Sequence, residues 1–215
     1  MSLRVNEIFF SIQGESSYAG YPCAFVRLTG CNLRCSYCDT QYAYEEGTWL
    51  EISDIERKVT SLHCRLVEIT GGEPLIQKET PELIKKLLDQ EFTVLLETNG
   101  SQDIGVVDER CVRILDIKCP SSCESENNDL ENLGKITPHD EIKFVILNRK
   151  DYEYAKLILS SSILTQNHLK PPFLSPVFGK MDPETLAQWI LEDHLDVRLQ
   201  IQLHKLIWGP ERKGV

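Results

Sequence analysis

The chain has 215 residues, of which 41% are hydrophobic and 26% are charged, as in one soluble globular domain with a sizeable core. Its 33 acidic and 23 basic residues give a net charge of -10, which argues against sequence-independent binding of nucleic acid. No apolar run approaches the roughly 20 residues that span a bilayer, and MSLRVNEIFF lacks a signal-peptide core. We therefore expect a cytoplasmic protein, a single domain over residues 1–215, without nucleic-acid or membrane partners.

Short apolar runs alternate with amphipathic stretches along the chain. The elements predicted in chain order are a strand at 23–28, a helix capped by Ser53 with Glu56, a strand at 66–70, a helix opened by Thr80 and Pro81, strands at 92–97, 112–117 and 142–147, a helix at 151–163, a helix opened by Asp182, and an alternating strand at 197–203. This alternation indicates βαβ units and a mostly parallel sheet. About six or seven strands are too few for a closed eight-fold barrel, so we expect an α/β fold, a partial (β/α) barrel.

The stretch at 119–140 differs from the rest because it is polar, acidic and nearly free of aromatic residues. It predicts an exposed loop inserted into the domain. Two interpretations stay open, a mobile lid over a site or a disordered insertion without a role.

Eight cysteines are many for a reducing compartment, where clustered thiols indicate metal binding or catalysis. Cys31, Cys35 and Cys38 follow the first predicted strand with the spacing C-x3-C-x2-C. Three thiolates on one tight loop can ligate three corners of a cubane iron–sulfur cluster and leave one iron open. A structural zinc site would need a fourth ligand, so that His63 or Cys64 would have to approach in space.

The cysteine loop, with Tyr37 before its last cysteine, and the Gly71-Gly72-Glu73-Pro74 turn together resemble the radical S-adenosylmethionine (radical SAM) superfamily. The resemblance implies a radical SAM type of partial barrel and a [4Fe–4S] cluster whose open iron binds S-adenosylmethionine for reductive cleavage. It also implies an external electron donor such as flavodoxin. Gly72 permits close backbone approach, and Glu73 can accept hydrogen bonds from the cofactor's ammonium group, although the turn alone is also compatible with a merely structural role.

The run EIFFSIQGE at 7–15, followed by FVRLTGCNLRCSYCDT at 25–40, resembles the 7-carboxy-7-deazaguanine synthase family. The similarity continues through LETNG, DIKCPSS and LSP to QLHKLIWGP. It implies conversion of 6-carboxy-5,6,7,8-tetrahydropterin into 7-carboxy-7-deazaguanine with loss of ammonia, in queuosine or 7-deazapurine biosynthesis. It further implies hydrogen abstraction at C6 of the pterin, a radical ring contraction, catalytic use of the cofactor, and a homodimer.

The residues before and on the first predicted strand suit a carboxylated pterin. Gln13 offers a donor and an acceptor, Glu15 can accept from ring N–H groups, and Arg27 can pair with the carboxylate. The alternative is that Gln13 and Glu15 cap a turn and that Arg27 pairs with a surface acid. The substrate-binding residues that the family pattern adds are Ile12, Gly14, Thr70 and His204, of which the histidine could equally be structural.

The family pattern also implies metal and cofactor positions. Thr40 fills the place of a residue that ligates Mg²⁺, an ion that keeps water and substrate oxygens as ligands; the alternative is that Thr40 caps a helix. The residues implied at S-adenosylmethionine are Tyr37, Cys38, Asp39, Gly72, Glu73, Asp116, Ile117, Lys118, Ser175, Pro176, Val177 and Phe178.

The sequence departs from the family pattern at three places. Residues 116–118 are Asp-Ile-Lys where the family usually has Ser-Pro-Lys. Ser16 replaces the glycine that usually follows QGE, so we expect the backbone angles of that turn to differ. Some members close the substrate site with their final residues, whereas here five residues follow Pro210. We therefore expect an altered contact at the end of the chain.

Two other functions remain as alternatives. A glycyl-radical-enzyme activase also carries C-x3-C-x2-C on a partial barrel, but it needs an open groove for a protein loop and leaves Gln13 and Glu15 unexplained. A non-catalytic zinc module is a different class of protein, and the absence of iron and sulfide would identify it. An auxiliary cluster on Cys119 and Cys123 is disfavoured because two thiols on one loop are too few.

Overall fold

The computed structural model describes residues 1–161 and 170–215. Its strands are β1 (Ser2–Ile12), β2 (Pro22–Leu28), β3 (Thr48–Glu51), β4 (Leu66–Gly71), β5 (Thr93–Thr98), β6 (Val112–Ile117), β7 (Glu141–Ile146), β8 (Phe173–Pro176) and β9 (Arg198–Leu199). Its helices are α1 (Ile52–Ser61), α2 (Thr80–Asp89), α3 (Arg149–Leu159), α4 (Pro183–Glu192) and α5 (Leu203–Trp208).

The strands form one open sheet with the order β3-β1-β2-β4-β5-β6-β7-β8-β9. β1 is antiparallel to both of its neighbours, and every pair from β2 onwards is parallel. The predicted α/β partial barrel is therefore confirmed, and β3 and β9 are the free edges of the sheet.

The helices cover the outer face of the sheet, because alternate residues of each strand point to that side. Val26, Ile69 and Leu96 pack with α1 and α2 in one cluster of buried side chains. Phe144 and Leu174 pack with α3 and α4 in a second cluster. These two apolar layers hold the sheet in place by hydrophobic burial.

The inner face is divided along the strands. Phe25, Leu95 and Ile114 fill its amino-terminal half as a third apolar cluster. One step further along each strand the same alternation places charged or polar side chains inward, among them Arg27 opposite Thr70 and Asp116 opposite Lys143. The carboxyl ends of the parallel strands therefore carry the polar groups, as they do in other α/β folds with a site at that edge.

Several predicted boundaries are wrong. α1 begins at Ile52 after Glu51, without a side-chain cap, so the Ser53–Glu56 capping box does not form. The predicted strand at 197–203 shrinks to β9, and Leu203 begins α5 instead, because Leu203 N donates to Gly14 O at 3.0 Å. β1 and β3 are absent from the predicted elements.

Other elements agree more closely with the sequence pattern. β6 has the predicted bounds, and Asp182 caps α4 by accepting from Glu184 N and Thr185 N. α3 is capped by Asn148 and ends at Leu159, before the predicted limit. Residues 162 and 163 of that predicted helix lie outside the described residues.

The polar stretch at 119–140 is irregular, but it is not uniformly exposed. Ser122, Asn132 and Leu133 are buried. The Asn132 amide accepts from Ile104 N at 3.1 Å and donates to Gly100 O and Gln102 O. The expectation of an exposed loop is therefore wrong for these residues, because their polar groups satisfy neighbouring backbone. Within the described ranges, no helix has the length and apolar character that a membrane span requires.

Candidate active site

A cleft of about 750 Å³ lies at the carboxyl ends of the parallel strands. Of the predicted site residues, all except Glu73 and Ile117 line it. Ile117 is 2% exposed and packs in the cluster beneath α3 and α4, because its position in β6 points to the outer face. The fold thus brings together in one cleft segments that lie between positions 9 and 215 of the chain.

The three cysteines of the loop are free and partly exposed in this cleft. Burial raises the pKa of the Cys31 and Cys35 thiols, that of Cys35 to about 11, while the Lys118 ammonium acts in the opposite direction. Metal binding requires the thiolate, so the nearby positive charge favours it. Three thiols on one loop, all lining the same cleft, fit a cluster with three protein ligands.

The structural zinc site that the sequence left open finds no support. The described residues contain no group of three His, Cys, Asp or Glu side chains able to hold one metal ion. The Cys64 thiol instead lies 3.2 Å from Pro22 O. Neither Cys64 nor His63 therefore completes the zinc site that the sequence left open.

The glycine turn packs directly against the start of the cysteine loop. A Cβ on Gly72 would lie 2.0 Å from Gly30 O, and one on Gly71, at φ +142°, would lie 2.1 Å from Leu28 O. Glu73 N donates to Gly30 O at 2.8 Å. No side chain fits at either glycine, so the two motifs form one backbone unit beside the cleft.

Glu73 differs from its predicted role. Its carboxylate is fully buried and accepts from Leu75 N, Asn99 N and Thr98 Oγ1 at 2.6–2.9 Å. Burial raises the pKa of Glu73, and these three donors oppose the rise. The carboxylate therefore orders the turn from behind, and it is not available to accept from a cofactor ammonium group.

Lys143, which the sequence pattern did not predict as a site residue, is a buried cation that lines the cleft. Its ammonium is buried and donates to Glu15 Oε2 at 2.8 Å and to Glu97, with Asp116 Oδ2 at 3.8 Å. Burial acts to lower the pKa of Lys143, but the three carboxylates outweigh it and hold that pKa well above its usual value. The signal was present in the sequence, since Lys143 interrupts an apolar run.

Glu15 is held as a carboxylate. Burial acts to raise its pKa, but Lys143 and a hydrogen bond from Gln202 Nε2 at 2.8 Å outweigh it and lower the pKa of Glu15 to about 2. Gln13 accepts from Glu15 N at 3.1 Å and donates to Glu68. Gln13 therefore caps a turn, as one of the two interpretations predicted. Gln13 and Glu15 also both line the cleft.

Two further acids were not predicted, the buried Glu68 on β4 and the partly buried Glu97 on β5. Burial raises the pKa of Glu68 to about 7 and that of Glu97 to about 8, and neighbouring acids add to both increases. Both side chains line the cleft. Each carboxyl can therefore gain or lose a proton near neutral pH.

Arg27 lines the cleft, and the Nε edge of its guanidinium is already paired with Glu7. Its Nε donates to Glu7 Oε1 at 2.8 Å, and Tyr42 donates to the same oxygen at 3.0 Å. The guanidinium carbon lies 5.7 Å from the ring centres of Phe9 and Tyr42. The acid that pairs with Arg27 is thus partly buried, and it fixes the guanidinium at the site.

Thr40 stands at the start of a short 3-10 turn, but its side chain caps no backbone group. Its hydroxyl donates to Asp39 Oδ1 at 2.8 Å, and the other Asp39 oxygen accepts from Lys205 on α5. Partial loss of solvent acts to raise the pKa of Asp39, but the Lys205 ammonium outweighs it and holds the pKa below its usual range. The helix-capping alternative is therefore wrong, and two oxygen ligands suitable for Mg²⁺ lie together.

The end of the chain closes one side of the cleft. A Cβ on Gly14 would lie 2.0 Å from His204 Nδ1, so the glycine permits α5 to approach. Residues 209–215 also line the cleft, and Lys213 Nζ lies 4.1 Å from the centre of the Tyr42 ring. Ser16 adopts φ 65°, so it takes the left-handed conformation that glycine favours.

The class of protein follows from the fold and the cysteine loop. Residues 25–119 match the Radical SAM superfamily. The structure resembles QueE from Escherichia coli with a TM-score of 0.80 and 22% identity over 95% of each chain. It resembles Streptococcus suis SuiB bound to S-adenosylmethionine with a TM-score of 0.54 and 12% identity, over 80% of this chain and 45% of that one. At these identities the likenesses show the fold alone.

Sequence relatives define the family more closely. The 7-carboxy-7-deazaguanine synthase of Koribacter versatilis is 45% identical over 99% of this chain and 100% of its own length. That of Chlorobaculum tepidum is 47% identical over 99% of this chain and 97% of its own. The chain belongs to the 7-carboxy-7-deazaguanine synthase family of radical SAM proteins. These relatives favour the synthase expectation and give no support to the activase or the zinc module.

Proposed function

We propose that the chain converts 6-carboxy-5,6,7,8-tetrahydropterin into 7-carboxy-7-deazaguanine and ammonia, in queuosine or 7-deazapurine biosynthesis. The two products together contain all the atoms of the substrate, so the reaction consumes no net oxidant or reductant. The observation that carries the proposal is the presence of Gln13, Glu15 and Arg27 in the same cleft as the three-cysteine loop. The names of the full-length relatives support it.

The cysteine loop and the glycine turn form the cofactor side of the proposed site. Cys31, Cys35 and Cys38 would hold a [4Fe–4S] cluster, and the backbone at Gly72 would lie against S-adenosylmethionine. When bound, this pair supplies the one-electron chemistry that activates a C–H bond of the substrate. The loop 175–178 lines the same cleft and would complete the cofactor contacts.

The substrate side would recognise the pterin by charge and hydrogen bonding. Glu15 is fixed as an acceptor for ring N–H groups because Lys143 and Gln202 hold its carboxylate. Arg27 would pair with the substrate carboxylate. Orientation by several fixed groups lowers the entropic cost of reaching the reactive geometry.

Ammonia loss requires that the leaving nitrogen receive protons. Glu68 and Glu97 have pKa values raised to about 7 and about 8 by burial, so each can hold a proton at neutral pH and release it in the cleft. General acids are most effective when their pKa lies near the working pH. We therefore assign proton handling to these two carboxyl groups.

Thr40 and Asp39 would hold a Mg²⁺ ion together with the substrate carboxylate, because hard oxygen ligands suit that ion. The helix α5 and residues 209–215 would exclude water from the bound substrate. We also propose a homodimer and an external one-electron donor such as flavodoxin. Light scattering of the purified protein tests the dimer directly.

The experiment for the proposed function is an anaerobic assay with the carboxypterin, S-adenosylmethionine, Mg²⁺ and a chemical reductant. We expect 7-carboxy-7-deazaguanine and ammonia in equal amounts, with far more product than protein. A matched control lacks the pterin and should yield no deazaguanine. Protein that cleaves S-adenosylmethionine but forms no deazaguanine would contradict the proposed substrate.

A further inference from the structure

The segment 119–124, predicted as part of a lid or an idle insertion, contacts the cysteine loop on both sides of Cys35. Immediately before Cys35, Arg34 N donates to Glu124 Oε1 at 2.6 Å. Immediately after it, Ser36 N donates to Ser122 O at 3.0 Å, and Ser36 Oγ donates to Ser121 O at 2.6 Å. Three hydrogen bonds thus flank the middle cysteine of the predicted cluster site.

The segment itself is anchored to the sheet and to α3. Ser121 N donates to Asp151 Oδ1 at 2.8 Å, and Leu147 N, at the end of β7, donates to Asp151 Oδ2 at 2.9 Å. The Asp151 side chain is fully buried. Ser122, also fully buried, donates through Oγ to Cys119 O at 2.6 Å. A lid would have to break these contacts in order to open.

Lys118, the residue immediately before this segment, is tied to Asn128, which follows it in the chain. Lys118 N and Lys118 O are both bound by the Asn128 side chain at 2.9 Å. The backbone on either side of the segment is therefore fixed, at Lys118 and at Asn128.

We propose that Glu124 and Ser36 are positioning residues that hold Cys35 in place for cluster binding, and that the segment 119–124 is a fixed support of the cysteine loop. A ligand that is already oriented before binding costs less entropy to order around a metal. Loss of the support should therefore weaken retention of iron. The proposal rests on the cluster of the superfamily and is independent of the ring contraction.

The test measures iron release from the reconstituted protein into a chelator, under anaerobic conditions and without substrate. We expect Glu124→Ala and Ser36→Ala to release iron about five- to tenfold faster, since each removes one hydrogen bond of the support. Glu124→Gln keeps an acceptor and should behave as wild type. Glu126→Ala, in the same turn but exposed, and Asn127→Ala, which removes the other partner of Glu124, are the matched controls.

Amide hydrogen exchange of the metal-free protein gives a second readout. Exchange in residues 34–36 should rise in Glu124→Ala and stay unchanged in Glu126→Ala. Wild-type iron release in both Glu124→Ala and Ser36→Ala would overturn the proposal, and so would equally fast release in Glu126→Ala. Protein that retains iron but makes no deazaguanine would instead contradict the proposed function and leave the support intact.

Discussion

Lys143 Nζ lies 2.8 Å from Glu15 Oε2, and the two residues are 128 positions apart in the chain. The same ammonium also donates to Glu97. One buried cation therefore binds two acidic side chains that come from different parts of the fold. Removal of a buried ion's partner costs much more than loss of an exposed pair, because the remaining charge stays desolvated.

Lys143→Met should lower the free energy of unfolding by about 3 kcal/mol at pH 8, as measured by denaturant titration of the metal-free protein. The loss should be smaller at pH 5.5, where the orphaned carboxylates can take up protons. Lys143→Arg keeps the charge, and Lys150→Met removes an exposed lysine of α3; both should stay near wild type. An equal loss at the two pH values would contradict the electrostatic role.

Glu97→Gln tests the raised pKa of Glu97. Burial raises this pKa from its ordinary value to about 8, so between these values the folded protein holds a proton that the unfolded chain releases. One such group makes the free energy of unfolding fall by about 1.4 kcal/mol per pH unit as the pH rises. The variant should show a shallower decline between pH 5.5 and 8. An unchanged slope would show that Glu97 is ionised throughout this range.

The sequence predicted the parallel strands well, and it placed three cysteines on one loop, because both features depend on local patterns. Apolar runs at 112–117 and the cysteine spacing are visible without knowledge of the fold. The network around Lys143 was not predicted, because it depends on the register between neighbouring strands. The only local indication of this network is a charged residue within an apolar run, which occurs at Glu68, Glu97 and Lys143.

Other predictions failed where long-range contacts decide local structure. Glu73 was expected in the cofactor site, yet it is fully buried behind the turn, where it accepts from Thr98 and Asn99 at the end of β5. Leu203 was expected in a strand, yet its N–H is bound by Gly14 O, and it begins α5. In each case the partner is distant in sequence, so periodicity alone could not show it.

Gly72→Ala tests the packing of the two motifs. Its Cβ would lie 2.0 Å from Gly30 O, so the turn and the cysteine loop must separate, at a cost of about 1–3 kcal/mol. We expect a lower melting temperature and less iron bound after reconstitution. Gly134→Ala is the control, because nothing lies within 4 Å of its Cβ. Wild-type iron content in Gly72→Ala would contradict the close approach.

Lys205→Met tests the attachment of α5 to the cysteine loop through Asp39. We expect faster proteolysis of the chain after residue 200 and weaker binding of the carboxypterin by about tenfold, since loss of a charge-assisted pair of this kind costs about 1.5 kcal/mol. Lys58→Met, on the exposed side of α1, is the control. Unchanged proteolysis would show that α5 is held without this ion pair.

The most direct measurement is electron paramagnetic resonance of the reconstituted, reduced protein before and after addition of S-adenosylmethionine, with iron and sulfide analysis of the same sample. Three cysteine ligands and one open iron predict a [4Fe–4S] signal that changes when S-adenosylmethionine is added. A signal that does not respond, or protein that holds zinc without iron or sulfide, would contradict an open iron at the Cys31, Cys35 and Cys38 loop.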